Sequence, residues 1–283
     1  MLGFFRKSQQ KSHETLTKAL GATEIPTFPS ALMPILYSIR DPENSMDKVA
    51  EQTVADPGLV VRVLKTVNSA AYGLRRSVDS MQHACSLMGR SHLESLVLSL
   101  PIREVLPDSP SPGFEAERFW TTAFRRASLA RLLAARFNPS RQAQCFTAGL
   151  LLDMAVPLLA QAQAPGYGQV LEHWHSDPES NLAELENESF GWTHAQLGAA
   201  LGCSWQLPEY LVSTIEEHHG DTHKLELELA VELVSHLRED DKVPGTEIVI
   251  ESLKEACGIP PEEAEQTIAD AFGQAQDLSC HFN

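Results

Sequence analysis

No C-x-x-C pair occurs in this chain. Its five cysteines, Cys85, Cys145, Cys203, Cys257 and Cys280, are scattered, which removes zinc-knuckle and dithiol redox motifs and suits structural thiols in a reducing cytoplasm. No uninterrupted apolar run approaches the roughly 20 residues that span a bilayer. The opening MLGFFRKSQQK sets its apolar residues ahead of its basic ones, the wrong order for a secretory signal; a frayed terminus is expected, with a weak interfacial anchor as the alternative. There is no G-x-S-x-G elbow, and GYG at 166–168 is too short for a phosphate-cradling loop. Cofactor boxes are missing too. Basic residues become scarce along the chain: residues 1–171 hold 18 Lys/Arg against 14 Asp/Glu, residues 172–283 only 4 against 24. That acidic second part would repel phosphate, so a nucleic-acid partner is not expected, and neither is a membrane.

What the chain has is helical periodicity. At 283 residues and 43% hydrophobic it can bury a large core. The stretch DPGLVVRVLKTVNSAAYG, residues 56–73, is the clearest helix: Asp56 caps it, Pro57 opens it, and Leu59, Val60, Val63, Leu64 and Val67 share one face. Ser45 caps a helix before it, and Ser80 or Asp79 opens one that Gly89 ends. Ser91 and Glu94 then form a capping box. PDSPSPG at 107–113 reads as a linker. Beyond it, Phe119 to Phe137 keep a helical period, with Arg118, Arg125, Arg126 and Arg131 on other, solvated faces. Thr193 caps a later helix, Pro208 opens the one ending at His219 and Gly220, and Leu225, Leu229, Leu233 and Leu237 form a stripe. Sustained period-two alternation is not found. The expected fold is all-α, divided into a polar lead-in at 1–20, helical parts at 21–106 and 114–240 about the linker, and a helical extension at 241–283 that packs back on the domain.

The wording of these segments resembles the HDOD family, bacterial signalling proteins related to HD-type phosphohydrolases. It is carried by IPTFP at 25–29, DPENSMDKVAEQTVADPGL at 41–59 running into VNSAAYG, and VDSMQHACSLMGRSHLESLVLSL at 78–100. GLLLDMA at 149–155 and THAQLGAALGCSWQLPEYLVSTIEEHH at 193–219 follow in order. The resemblance implies an N-terminal helical part packed with a degenerate HD-like bundle.

A related hydrolase would hold one or two metals with several histidines, an adjacent His-Asp pair and a late aspartate. Carried over one at a time, the first histidine is Thr122 and the His-Asp pair is Leu152–Asp153. The remaining histidines survive as His194 and His218–His219, and no aspartate lies in register near His236. Threonine and leucine cannot replace imidazole, so no catalytic residue, metal or cofactor is expected. Asp153, His194, His218 and His219 are what remains of a site; Asp153 then serves as a buried acceptor with His194 as a partner.

The resemblance therefore implies a cytoplasmic, non-catalytic signal-transduction module. It would bind a signalling partner protein or a small effector in a groove between its helical parts, with Asn68, Ser69, Tyr72 and Arg75 as lining candidates. The bland reading of Asn68 and Tyr72 is that they cap and pack the helix end. Two other functions compete: a residual metal-dependent phosphohydrolase or cyclic-dinucleotide phosphodiesterase, and a helix-turn-helix-like DNA-binding regulator using residues 45–68, with Arg62, Lys65, Arg75 and Arg76 on phosphate.

Overall fold

A computed structural model describes residues 14–69, 72, 74, 76–108, 110–163, 166–177, 179–219, 226–238 and 245–279, with 226–228 by backbone only. It is 75% helical, and the described residues contain no strand beyond an isolated bridge between Ser111 and Phe114. The expected capping residues do their work. Ser45 accepts from Lys48 N at the start of α3 (Met46–Val54), Asp56 from Leu59 N at α4 (Pro57–Val67), and Ser80 from His83 N at α5 (Met81–Ser99). Gly89 sits at φ 69° and kinks α5, a backbone state that needs a glycine. Tyr72 follows the end of α4, while Gly73 and Arg75 lie outside the described residues.

Two local readings need correction. The lead-in is helical from residue 14: α1 (14–20) buries Leu16, Ala19 and Leu20 in the core, so its apolar face, not its polar one, decides its fate. The Ser91–Glu94 box does not form, because the second half of α5 starts directly after the break at Gly89, ahead of Ser91, and Glu94 accepts from Arg40 Nε at 2.6 Å on α2 (Met33–Arg40). The stretch Pro139–Ala162 is long and apolar enough to cross a membrane, with mean hydropathy 1.5, yet 89% of that window is buried inside the protein. It comprises α8 (Gln142–Leu151) and α9 (Val156–Ala162) with a turn between, and forms core.

After the single-turn α6 (Ile102–Val105), the second part is built on α7 (Ala116–Phe137), which buries Phe119, Trp120, Phe124 and Leu133. Helix α8 packs along it so closely that a Cβ on Gly149 would meet Arg126 O and Ala127 Cα at 3.0 Å. After α10 (Gly166–Ser176) and α11 (Leu182–Phe190) comes α12 (His194–Ser204), opened by a Thr193–Gln196 capping box. It packs on α13 (Glu209–Glu217), where Ile215 approaches Gly198 to 2.9 Å from where a Cβ would stand. Then α14 (Glu226–Ser235), α15 (Gly245–Cys257) and α16 (Pro261–Ser279) close the chain, and α16 lies along α7 as expected of the tail. Loop 107–113 joins the parts but is held down: Ser111 Oγ donates to Ala160 O at 2.6 Å, and Phe114 is buried. One hydrophobic cluster runs from Leu16 to Leu278 across both parts.

Candidate functional site

Close packing of α7 on α8, and of α12 on α13, brings the surviving HD-like residues to one point. His194 is the first residue of α12, His218 and His219 follow the last turn of α13, and Asp153 lies in the turn after α8. His194 Nε2 is 3.3 Å from His218 Nε2 and 3.0 Å from His219 Nε2. Asp153 Oδ1 is 3.4 Å from His194 Nε2 and 3.3 Å from His218 Nε2. His194 and His218 are buried, Asp153 is partly buried and His219 is exposed, so the cluster reaches solvent on one side.

The orientation of the rings comes from groups behind them. His194 Nδ1 faces Glu186 Oε2 at 2.7 Å, and that oxygen also accepts from His194 N at 2.6 Å. Glu186, fully buried on α11, takes the Tyr167 hydroxyl on its other oxygen. His218 Nδ1 faces Ile215 O at 2.7 Å. Both Nδ1 atoms must therefore carry hydrogen, which turns the two Nε2 positions toward Asp153.

Arg126 was read above as solvated, and it is not. It is 5% exposed on α7, its Nη1 pairs with Asp153 Oδ2, and its Nε donates to Leu237 O at 2.9 Å. Nη2 donates to Leu237 O and reaches Ser235 O at 3.5 Å. The segment after α14, where an aspartate would close an HD site, thus presents carbonyl oxygens to a guanidinium. Thr122, one turn before Arg126, is buried with its hydroxyl 3.4 Å from Arg238 O, and Leu152 is fully buried. Arg126 and Glu186 carried no legible signal in the sequence: neither belongs to a recognised motif, and only the tertiary packing gives each its partner.

Charge in the cluster is interdependent. Burial opposes ionisation of Asp153, but Arg126 and then His194 and His218 hold its carboxyl well below the usual range. Burial likewise opposes a charge on His194, yet Glu186 and Asp153 carry its pKa to about 10. Burial lowers the pKa of His218, and burial together with His218 and His194 lowers that of His219. Without a metal, the positive imidazolium charge is favoured on His194, while His218 and His219 stay neutral.

The same donors test well against a metal ion. For metal–nitrogen bonds of 2.0–2.1 Å, the edge of a tetrahedron is about 3.3 Å; four of the six donor separations here are 3.0–3.4 Å, and all four donor atoms lie within 4.8 Å of one another. Three imidazole nitrogens and one carboxylate oxygen suit a single borderline divalent ion. The other oxygen of Asp153 is taken by Arg126.

The remaining candidates part company. Asn68 Nδ2 donates to Leu64 O at 2.8 Å and Val78 O at 2.7 Å, and Asn68 Oδ1 accepts from Val78 N at 2.7 Å, tying the end of α4 to the approach to α5. Ser69 is buried. Tyr72 lines a cavity of about 230 Å³ between α4, α5, α7, α8 and α16.

Comparison with known proteins agrees with this architecture. The HDOD domain model matches residues 25–220. A protein of Treponema pallidum (strain Nichols) is 28% identical over 203 residues, 71% of this chain but only 38% of the relative's own length. A Shewanella amazonensis SB2B structure, described provisionally as a phosphohydrolase, superposes with TM-score 0.71 at 19% identity, covering 95% of this chain and 98% of its own. One from Marinobacter aquaeolei VT8, described provisionally as a signal transduction protein, gives 0.70 at 18% identity over 98% of this chain and 65% of its own. At those identities the structures establish the shared all-α fold, and with the family model covering well over half of its residues, the chain belongs to the HDOD domain family.

Proposed function

We propose that this chain is a non-catalytic signal-transduction module that binds a small effector or a partner protein between its two helical parts. The HDOD family is associated with signal transduction and related to phosphohydrolases. The observation that carries the reading is the Arg126–Asp153 pair. An HD-type hydrolase needs its aspartate on metal, with an open position for water. Here one carboxylate oxygen is committed to a guanidinium that is itself clamped by Leu237 O, and Thr122 and Leu152 offer no imidazole. The test is direct. Chelator-stripped protein, reloaded with zinc, manganese or ferrous ion, is given p-nitrophenyl phosphate, bis-p-nitrophenyl phosphate and a cyclic dinucleotide. No turnover is expected; metal-dependent hydrolysis that vanishes in His194→Ala would refute the proposal.

A second reading is favoured by the donor separations. His194, His218, His219 and Asp153 would hold one divalent ion, which when bound acts as a Lewis acid toward a water or an oxyanion. Glu186 and Ile215 O keep the two Nε2 atoms turned inward, and Arg126 holds the far oxygen of Asp153. Elemental analysis tests the metal itself: about one ion per chain supports this reading, and none after reloading disposes of it.

A further inference from the structure

We infer that the cavity beside Tyr72 is a binding site for a small amphiphilic anion, an apolar body bearing a carboxylate or a phosphate. The inference rests on the recognition-module reading and names the class of effector that module takes.

The cavity has two chemically distinct sides. Arg131, His92, Gln142 and Tyr72 supply polar groups, whereas Leu96, Phe146 and Leu278 supply an apolar wall. No Asp or Glu lies in its described lining, in a chain with 38 of them and a net charge of −16. Arg131 is set in place by its Nη2 bond to Gln274 Oε1 at 2.6 Å and by Tyr72, whose ring centre is 5.7 Å from the guanidinium carbon. A guanidinium fork matches the paired oxygens of carboxylate and phosphate, and it stays charged at any physiological pH. Burial pulls down the pKa of both Arg131 and His92. Tyr72 keeps its proton, since burial raises its pKa. Size limits the ligand: about 230 Å³ is below the 300–1,000 Å³ typical of drug-sized ligands, which excludes a dinucleotide. Position adds the regulatory consequence. The site touches helices of both parts and the C-terminal helix, so an occupant would brace them together.

Titration calorimetry with benzoate, phenyl phosphate and the neutral benzamide tests the site. Saturable one-to-one binding of either anion is expected, with benzamide at least about tenfold weaker; whichever anion binds tighter tells carboxylate from phosphate recognition. Arg131→Gln should weaken the anion at least about tenfold, and Phe146→Trp, which fills the apolar side, should abolish it. Gln274→Ala removes the bond to α16 but leaves the guanidinium, and should still bind. Anions that bind no better than benzamide, or equally well in Arg131→Gln and Phe146→Trp proteins whose circular dichroism is native, would overturn the assignment. The phosphohydrolase assay reads the separate Asp153 cluster, so either conclusion can fail alone.

Discussion

Arg126 shows what a single side chain can hide. It stands one helical turn after Thr122, among arginines that an amphipathic helix would ordinarily show to water. Arg125, Arg131 and Arg136 on the same helix turn toward α16, touching Phe272, Gln274 and Glu263, while Arg126 alone reaches Asp153. Because this pair is buried, with side chains 6% and 13% exposed, removing one partner strands the other. Arg126→Leu should cost about 3–5 kcal/mol in urea unfolding, and Arg126→Leu with Asp153→Leu should recover much of it. A double-variant loss equal to the sum of the two single losses, Arg126→Leu and Asp153→Leu, would show that the pair is not coupled. The neighbouring histidines predict a pH profile for chelator-treated protein. The pKa of His194 is raised to about 10 from 6.5, so the folded state binds a proton the unfolded chain lacks between those values. Its contribution is complete below about pH 6.5 and is lost as pH climbs toward 10. His218 and His219, with lowered pKa values, resist charging, so stability also falls as pH drops below about 6.5. A maximum near pH 6–7 is therefore expected in thermal melts; His194→Gln should abolish the alkaline limb and, by removing a charge that holds down His218 and His219, soften the acid limb as well.

Among the elements, the sequence was most legible where local chemistry is self-sufficient. Caps at Ser45, Asp56, Ser80 and Thr193 each satisfy N–H groups within their own turn, and all four form as expected. Legibility failed where a partner outside the segment decided the matter: Glu94 prefers Arg40 to its own helix start, and α1 is recruited by a core that its own composition does not reveal. The four converging residues His194, His218, His219 and Asp153 were readable because motif wording preserved them, whereas Arg126 and Glu186 have no wording to preserve. Gly149 within α8 is the element-level device that lets α7 and α8 approach and brings Arg126 and Asp153 together. Gly149→Ala should force α7 and α8 apart, since its Cβ would press on backbone that cannot swing away; a loss of about 1–3 kcal/mol in denaturant midpoint is expected. Gly273→Ala in α16 is the control. Nothing lies within 4 Å of its Cβ, and a gain of about 0.5–1 kcal/mol is expected from helix propensity. Equal effects at the two sites would refute the close-packing explanation.

At the scale of the molecule, the two helical parts share one core, and the C-terminal helix is part of what closes it. Helix α16 lays Ile268, Ala271, Ala275 and Leu278 against the structure, and its Glu263 and Gln274 meet arginines of α7. Fully burying an Ile or Leu contributes about 1.5–3 kcal/mol, so the two large residues alone approach the lower end of a domain's whole stability of about 5–15 kcal/mol. The exposed Arg136–Glu263 pair adds little beside this. Ending the chain after Gly258 should therefore do more than remove an appendage. It should bare the α7 face beneath α16 and one wall of the Tyr72 cavity, giving dye binding, a broadened near-ultraviolet signal and a much lower urea midpoint. A truncated chain with an unchanged midpoint would mean that the first 258 residues hold their core unaided. Substituting Leu278→Ala in the full-length chain refines the comparison, because it opens only the cavity end of the helix. A loss of about 2–5 kcal/mol there, with α16 still folded, would place the closing contact at the ligand cavity itself.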